Sequence, residues 1–360
     1  MSQYFVERDK KNLSEIKKYQ KKLPSFCQNF FLDKETTSST STRLAMAIDL
    51  SVFFEFIKKY KFSGTKVENI TYHQMSKIES DDISSFLSYI SYYEHNGKNY
   101  KNSNNGKSRK LASIRSLFKW LYRKNYIQSD VAAKIDTPKK YEKPIVRLEA
   151  DEVAKIINTT EDGSFEMSKR QAKYLQNTSK RDTAILTLFL STGIRVSECV
   201  GLDLDDFDFD NNAFKITRKG GNQTILYFTE ETKEALLNWL EVRQNSMLPE
   251  EETAMFTSLQ KKRLTVRAVE YIVKKYAKFV NPLKTISPHK LRSTFGTNLY
   301  RGTGDIYIVA DVLGHKDINV TKRHYAAIAE DSKRTAARII KLRDKVGIST
   351  GQPGSPAKHS

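Results

Sequence analysis

Residues 191–198 read Ser191-Thr192-Gly193-Ile194-Arg195-Val196-Ser197-Glu198, directly after an apolar helical run over residues 181–191. Arg195 follows Gly193 at the start of a further helix, amid apolar neighbours. A charge left unpaired in such surroundings is costly. Glu198, three residues on, lies on the same helix face and can brace it.

Four more patterns lie downstream in fixed order. Residues 207–209, 214–217 and 224–228 alternate apolar and polar, as half-buried strands do. With Gly220-Gly221-Asn222 between them, the last two form a hairpin that carries Arg218-Lys219 at its tip. His289-Lys290-Leu291-Arg292 places His289 and Arg292 on one helix face, and Pro288 before them suits a first helical turn. Leu313-Gly314-His315 is a Gly-His turn, and Tyr325 stands ten residues after His315. The five patterns together resemble the tyrosine recombinase family (phage-integrase, Xer-like), most closely over residues 147–346. Residues 23–135 are similar, more loosely, to the helical core-binding domain of that family.

The residue types make chemical sense by themselves. Cleaving a phosphodiester without a metal demands a nucleophile, a proton acceptor, positive charge on the non-bridging oxygens and an acid for the leaving oxygen. Arginine suits the third task, because its guanidinium stays charged and forks onto two phosphate oxygens. The resemblance implies Arg195 and Arg292 in that role, His289 as proton acceptor, and His315 hydrogen-bonded to the scissile phosphate. It implies Lys219 as the acid for the 5′ oxygen. Arg218 precedes Lys219, a departure from the family's Gly-Lys-Gly form, and arginine cannot readily give up a proton. Tyr325 matches the nucleophile among the 18 tyrosines. Tyr300 and Tyr307 are the nearest alternatives, and both fall in apolar helical patterns that suit core residues. The implied intermediate is a 3′-phosphotyrosyl bond, which conserves bond energy and needs neither ATP nor another cofactor nor a metal.

Outward from this constellation the chain of 360 residues is long enough for two domains. With 39% hydrophobic and 29% charged residues it reads as globular. Its 61 Lys+Arg against 42 Asp+Glu give a net charge of +19, a field that favours a polyanion. That charge is concentrated in residues 98–124, which hold no acid, and in residues 261–301, where Glu270 is the one acid. In the helix over residues 108–125, Leu111, Ile114, Leu117, Phe118 and Leu121 form an apolar face. Arg115, Lys119 and Arg123 form a basic stripe beside it, assigned to phosphate contact together with Arg218.

Elsewhere the reading is coarser. Residues 1–22 are an N-terminal extension with a short solvated helix over 10–22. Asp81-Asp82 caps a helix carrying Ile83, Phe86, Leu87 and Ile90. Residues 92–107 read as a mobile loop, 136–146 as an interdomain linker, 160–180 as a polar insertion and 347–360 as a disordered tail. After the hairpin the pattern is helical to about residue 346. Asp203, Asp205, Asp206, Asp208 and Asp210 mimic a metal cluster. Read as a calcium loop from Asp206, however, they put Asn211 and Thr217 where Gly and Glu are required. They read instead as a solvated strand and turn. Cys27 and Cys199 read as core residues, compatible with a reducing cytosol. The polar stretch 1–11 does not look like a signal peptide, and no apolar run nears the ~20 residues of a membrane span.

The expected fold is mainly α: a helical core-binding domain (23–135) and an α+β catalytic domain (147–346) with a small antiparallel sheet, closing as a clamp around DNA. The expected partners are double-stranded DNA carrying a specific recombination site and, in the synaptic complex, three further copies of the chain. The expected location is the cytoplasm. A type IB topoisomerase shares this chemistry, and a non-catalytic DNA-binding regulator could share the fold. The absence of an evident arm-binding domain before residue 23 leans towards simple Xer-like recombinases.

Overall fold

The computed structural model describes residues 3–95, 97–139, 146–162, 169–218, 221–246, 248–249, 252–315 and 317–318. They are mainly helical, with small antiparallel sheets, and fall into two compact units. One holds the described parts of residues 1–144, 196–227 and 240–269; the other holds those of 145–195, 228–239 and 270–360.

The first unit begins with α1 (Gln3–Gln20), α2 (Cys27–Asp33), α3 (Thr40–Tyr60), α4 (Tyr72–Met75) and α5 (Ser80–Tyr89). A two-stranded ribbon, β1 (Tyr92–His95) and β2 (Lys98–Lys101), leads into α6 (Asn104–Arg123). Buried Phe30, Phe53, Phe86 and Phe118 fill the centre of this bundle, with ring pairs edge-on as aromatic quadrupoles prefer. α1 is longer than the solvated helix expected over 10–22. Phe5 and Ile16 are buried, and Asn12 and Asp9 both hydrogen-bond Thr40 at the start of α3. Glu79 rather than Asp81-Asp82 caps α5, with Asp82 closing the capping box at the third helical position. The expected mobile loop over 92–107 is instead the ribbon and the first turn of α6.

The same unit includes α9 (Val196–Cys199) and a three-stranded antiparallel sheet of β3 (Phe207–Asp208), β4 (Ala213–Thr217) and β5 (Gln223–Tyr227). The register Ala213↔Tyr227 to Thr217↔Gln223 confirms the hairpin. The aspartates near it bond within the chain. Asp203 pairs with Arg263, Asp206 lies 3.7 Å from Lys215, and Asp208 accepts from Asn211. Among the described residues no His, Cys, Asp and Glu gather as a metal site.

The second unit is built on α7 (Ala150–Asp162) and α8 (Lys169–Thr192), with part of α10 (Glu230–Gln244), most of α11 (Val266–Val280), α12 (Pro288–Thr303) and α13 (Ile306–Leu313). The insertion expected over 160–180 is largely helical, since α7 runs to Asp162 and α8 begins at Lys169. The continuous helical pattern expected after the hairpin is broken by residues 245–265, which are irregular where described and pair through isolated bridges such as Thr257↔Arg263. Inside the unit Arg181 pairs with Asp182 at 2.7 Å, and Asp182 also accepts from the Tyr276 hydroxyl at 3.0 Å. Tyr276 and Asp182 are both fully buried, so this network satisfies a charge that would otherwise be costly. No helix among the described residues is long and apolar enough to cross a membrane.

Candidate active site

α8 ends at Thr192, whose hydroxyl donates back to Leu188 O at 2.6 Å. Gly193 then adopts φ +61, which an L side chain rarely tolerates. It is also crowded: a Cβ there would collide with the Phe295 ring and lie 2.9 Å from Leu313 Cδ2. The glycine therefore does two jobs, turning the chain and letting α12 and the end of α13 press against the turn.

That close approach positions both arginines. Arg292, 5% exposed on α12, donates Nη1 to Gly193 O at 2.6 Å and Nη2 to Leu313 O. Arg195 donates Nη2 to Leu313 O at 3.3 Å and to Gly314 O at 3.1 Å. The two guanidinia thus meet at one carbonyl. Such charge-assisted bonds are stronger than neutral ones and offset the repulsion between the cations. Gly314, at φ 58, ends α13 in the left-handed conformation, and His315 N–H closes the cap on Ala310 O at 2.9 Å. His315 follows directly on the shared carbonyl's turn.

His289 lies on α12 one turn before Arg292, with Pro288 at the first helical position and Ser287 as N-cap. Its side chain stays open to solvent. Partial desolvation, then the charges of Arg292, Lys290 and Arg195, hold its pKa below the ordinary histidine value. A neutral imidazole beside two guanidinia can accept a proton at neutral pH. Thr294, one turn further, accepts Leu148 N–H at 3.0 Å and so pins the start of the unit to α12.

The structure therefore brings Arg195, His289, Arg292 and His315 into one unit. Glu198 is buried on α9. Arg218 N–H bonds Asn222 O at 2.7 Å at the head of the β4–β5 hairpin. Lys219 and Tyr325 lie outside the described residues. Of the two alternative tyrosines, Tyr300 packs partly buried against Val309 and Leu313. Tyr307 is 65% exposed, so its expected core placement is corrected: its helix α13 turns that side to solvent.

Sequence reasoning missed the shared carbonyl of Leu313, which carries no residue-type signal. It also missed what α6 does with its basic stripe. Arg115 donates to Ala132 O at 3.2 Å, to Thr137 Oγ1 at 2.8 Å and to Ile135 O, fastening residues 132–137 onto the helix. Lys119 and Arg123 remain exposed and stand near Lys34. The pKa of Lys34 is lowered by desolvation and then by these two charges. Crowded cations of this kind suit a polyanion.

The phage integrase family model matches residues 146–332. Tyrosine recombinase XerC of Caldanaerobacter subterraneus subsp. tengcongensis is 32% identical over 328 residues, covering 88% of this chain and 86% of the relative. Tyrosine recombinase XerS of Streptococcus thermophilus is 26% identical over 358 residues, covering 90% and 97%. The crystal structure of XerH site-specific recombinase bound to palindromic difH substrate, in a post-cleavage complex, aligns with a TM-score of 0.61 at 20% identity. That match covers 85% of this chain and 82% of the other, a likeness of fold. By the family match and the extent of these similarities, the chain belongs to the phage integrase family of tyrosine recombinases.

Proposed function

We propose that this tyrosine recombinase, a DNA breaking and rejoining enzyme, acts on duplex DNA at a specific recombination site through a 3′-phosphotyrosyl intermediate. In this reading the Tyr325 oxygen attacks phosphorus and its proton passes to His289. The bond from phosphorus to the 5′ oxygen breaks, and Lys219 protonates that oxygen. Arg195 and Arg292 neutralise the non-bridging oxygens, with His315 as a further hydrogen-bond donor. A 5′ hydroxyl then attacks the phosphotyrosine, reversing the chemistry and rejoining the strand. Exchange between two sites proceeds through a Holliday junction in a homotetramer. Glu198 supports Arg195, and Lys119, Arg123 and Arg218 contact DNA.

The observation that carries this reading is the meeting of Arg195 and Arg292 at Leu313 O, with His289 one helical turn before Arg292. Incubation with a nicked suicide duplex should trap the wild-type protein covalently, while Tyr325→Phe should bind the duplex and form no adduct. A detergent-resistant adduct in the phenylalanine variant would move the nucleophile to another tyrosine. No adduct with the wild type would favour a non-catalytic DNA-binding protein, and relaxation of supercoils by a monomer would favour a topoisomerase.

A further inference from the structure

The ribbon β1–β2 is a built feature of the first unit. In its register Tyr93 faces Tyr100 and His95 faces Lys98, so these four share one side. That side is anchored. Tyr93 is buried and stacks on Tyr100 at 5.3 Å, and His95 Nδ1 lies 2.7 Å from Glu55 Oε2 on α3. Asn102 clamps the base, donating Nδ2 to Ile90 O at 2.8 Å and its backbone N–H to Ser91 O at 3.2 Å. The other side carries Tyr92, Glu94, Asn99 and Lys101, all exposed, with Lys101 Nζ 5.0 Å from the Tyr92 ring centroid. An isolated hairpin of this size is marginal in water, so its anchors hold a polar surface in place.

Charge decides what that surface suits. Residues 95–129 contain nine Lys and Arg and no acid. The structure uses several of them internally: Arg109 and Lys110 face buried Asp49, Lys124 pairs with Asp33, and Arg115 binds carbonyls. Lys98, Lys101 and Lys107, at the ribbon and the first turn of α6, have no carboxylate partner among the described residues. Glu94, across from Asn99, is the ribbon's one acid. Two antiparallel strands fit the roughly 12 Å major groove of B-DNA, where an asparagine amide can read adenine.

We propose that the β1–β2 ribbon enters the major groove of the recombination site, with Asn99 and Lys101 towards base edges and Lys98 and Lys107 on flanking phosphates. The ribbon is then a sequence-reading element apart from the cleavage constellation. This rests on the reading of duplex DNA as substrate.

The test uses the full-length protein and duplexes selected by the wild type from a randomised pool. Asn99→Ala should lower the ratio of affinities for selected over unselected duplex by about 5- to 150-fold, the discrimination of a bidentate base contact. Lys98→Gln with Lys107→Gln should weaken binding to both duplexes alike and flatten the salt dependence by about two log units per log unit of salt at most. All substitutions lie on the surface, so thermal melting should be unchanged and reports any misfolding. Unchanged affinity, ratio and salt slope in the folded variants would overturn the ribbon's role while leaving the recombinase reading intact. A wild type that selects no duplex would overturn both.

Discussion

His289 carries the sharpest residue-scale consequence of the geometry. Its pKa is depressed by desolvation and by Arg292, Lys290 and Arg195. The folded protein therefore binds less proton at this site than the unfolded chain, and the ring stays neutral to lower pH than an ordinary histidine does. An NMR titration should place its midpoint below 6.5, and Lys290→Gln should raise it by removing one of the repelling charges. A midpoint at or above the ordinary value would remove the argument for a neutral base. Stability contributed by the neutral ring is present above pH 6.5 and lost as pH falls through that window. Gly193 supports a second prediction. Alanine at φ +61 costs roughly 1–2 kcal/mol, and overpacking against Phe295 and Leu313 adds roughly 1–3 kcal/mol. Gly193→Ala should lower unfolding stability by about 2–5 kcal/mol in denaturant titration and loosen both arginines; a change under about 0.5 kcal/mol would show that the turn relaxes freely. Arg195, His289, Arg292 and Gly193, which the structure brings into one unit, stood out in the sequence because guanidinium, imidazole and glycine each have few equivalents. The common anchor of the two arginines, Leu313 O, did not, since a backbone carbonyl looks alike at every position.

At the scale of elements, α6 shows how a correct pattern can hide two different roles. Its apolar face was readable from helical spacing, and Leu111, Ile114, Leu117, Phe118 and Leu121 are all buried as expected. Arg115, Lys119 and Arg123 looked equivalent, yet Arg115 is committed to residues 132–137 while the other two crowd Lys34. Nothing local distinguishes them, because the partner segment arrives through tertiary packing. Replacing Lys34, Lys119 and Arg123 with glutamine should flatten the slope of log K against log salt by roughly three units at most. Arg115→Gln should instead lower stability, by about 1–2 kcal/mol, with a nearly unchanged slope. The reverse assignment of effects would restore the uniform stripe. The ribbon β1–β2 carries no legible strand signal for a related reason. All of β2 is exposed, so it offers no alternation to read, and its hold comes from Asn102 and from the Tyr93 and His95 contacts. Of α8 the apolar last turns, over residues 181–191, were legible, whereas its first turns lack that apolar stripe in the sequence and read as an insertion.

For the whole molecule, the +19 charge explains attraction to DNA but not the joining of two sites. Charge is spent on neutralising phosphate, and extra positive charge pushes copies of the protein apart. Exchange between two duplexes cuts four strands in all. Each cut consumes one tyrosine as a covalent link, so the proposed reaction calls for four copies held together by contacts other than charge. Residues 330–346 fall outside the described part of the structure, but their sequence supplies such material: Ile339, Ile340 and Leu342 among Lys333, Arg334, Arg338, Lys341 and Arg343. They follow Tyr325 closely, so a contact made there by a neighbouring copy would be linked through a short length of chain to the proposed nucleophile. Closed rings of identical subunits arise when each copy offers one surface and receives another. Truncation after Ala329 should then leave binding to a single site and abolish the four-copy complex on paired sites, as read by sedimentation of the protein–DNA complexes. Cleavage of a suicide substrate by the truncated protein separates the possibilities further. A covalent adduct without assembly places the segment between subunits, whereas an intact four-copy complex shows that it serves its own chain.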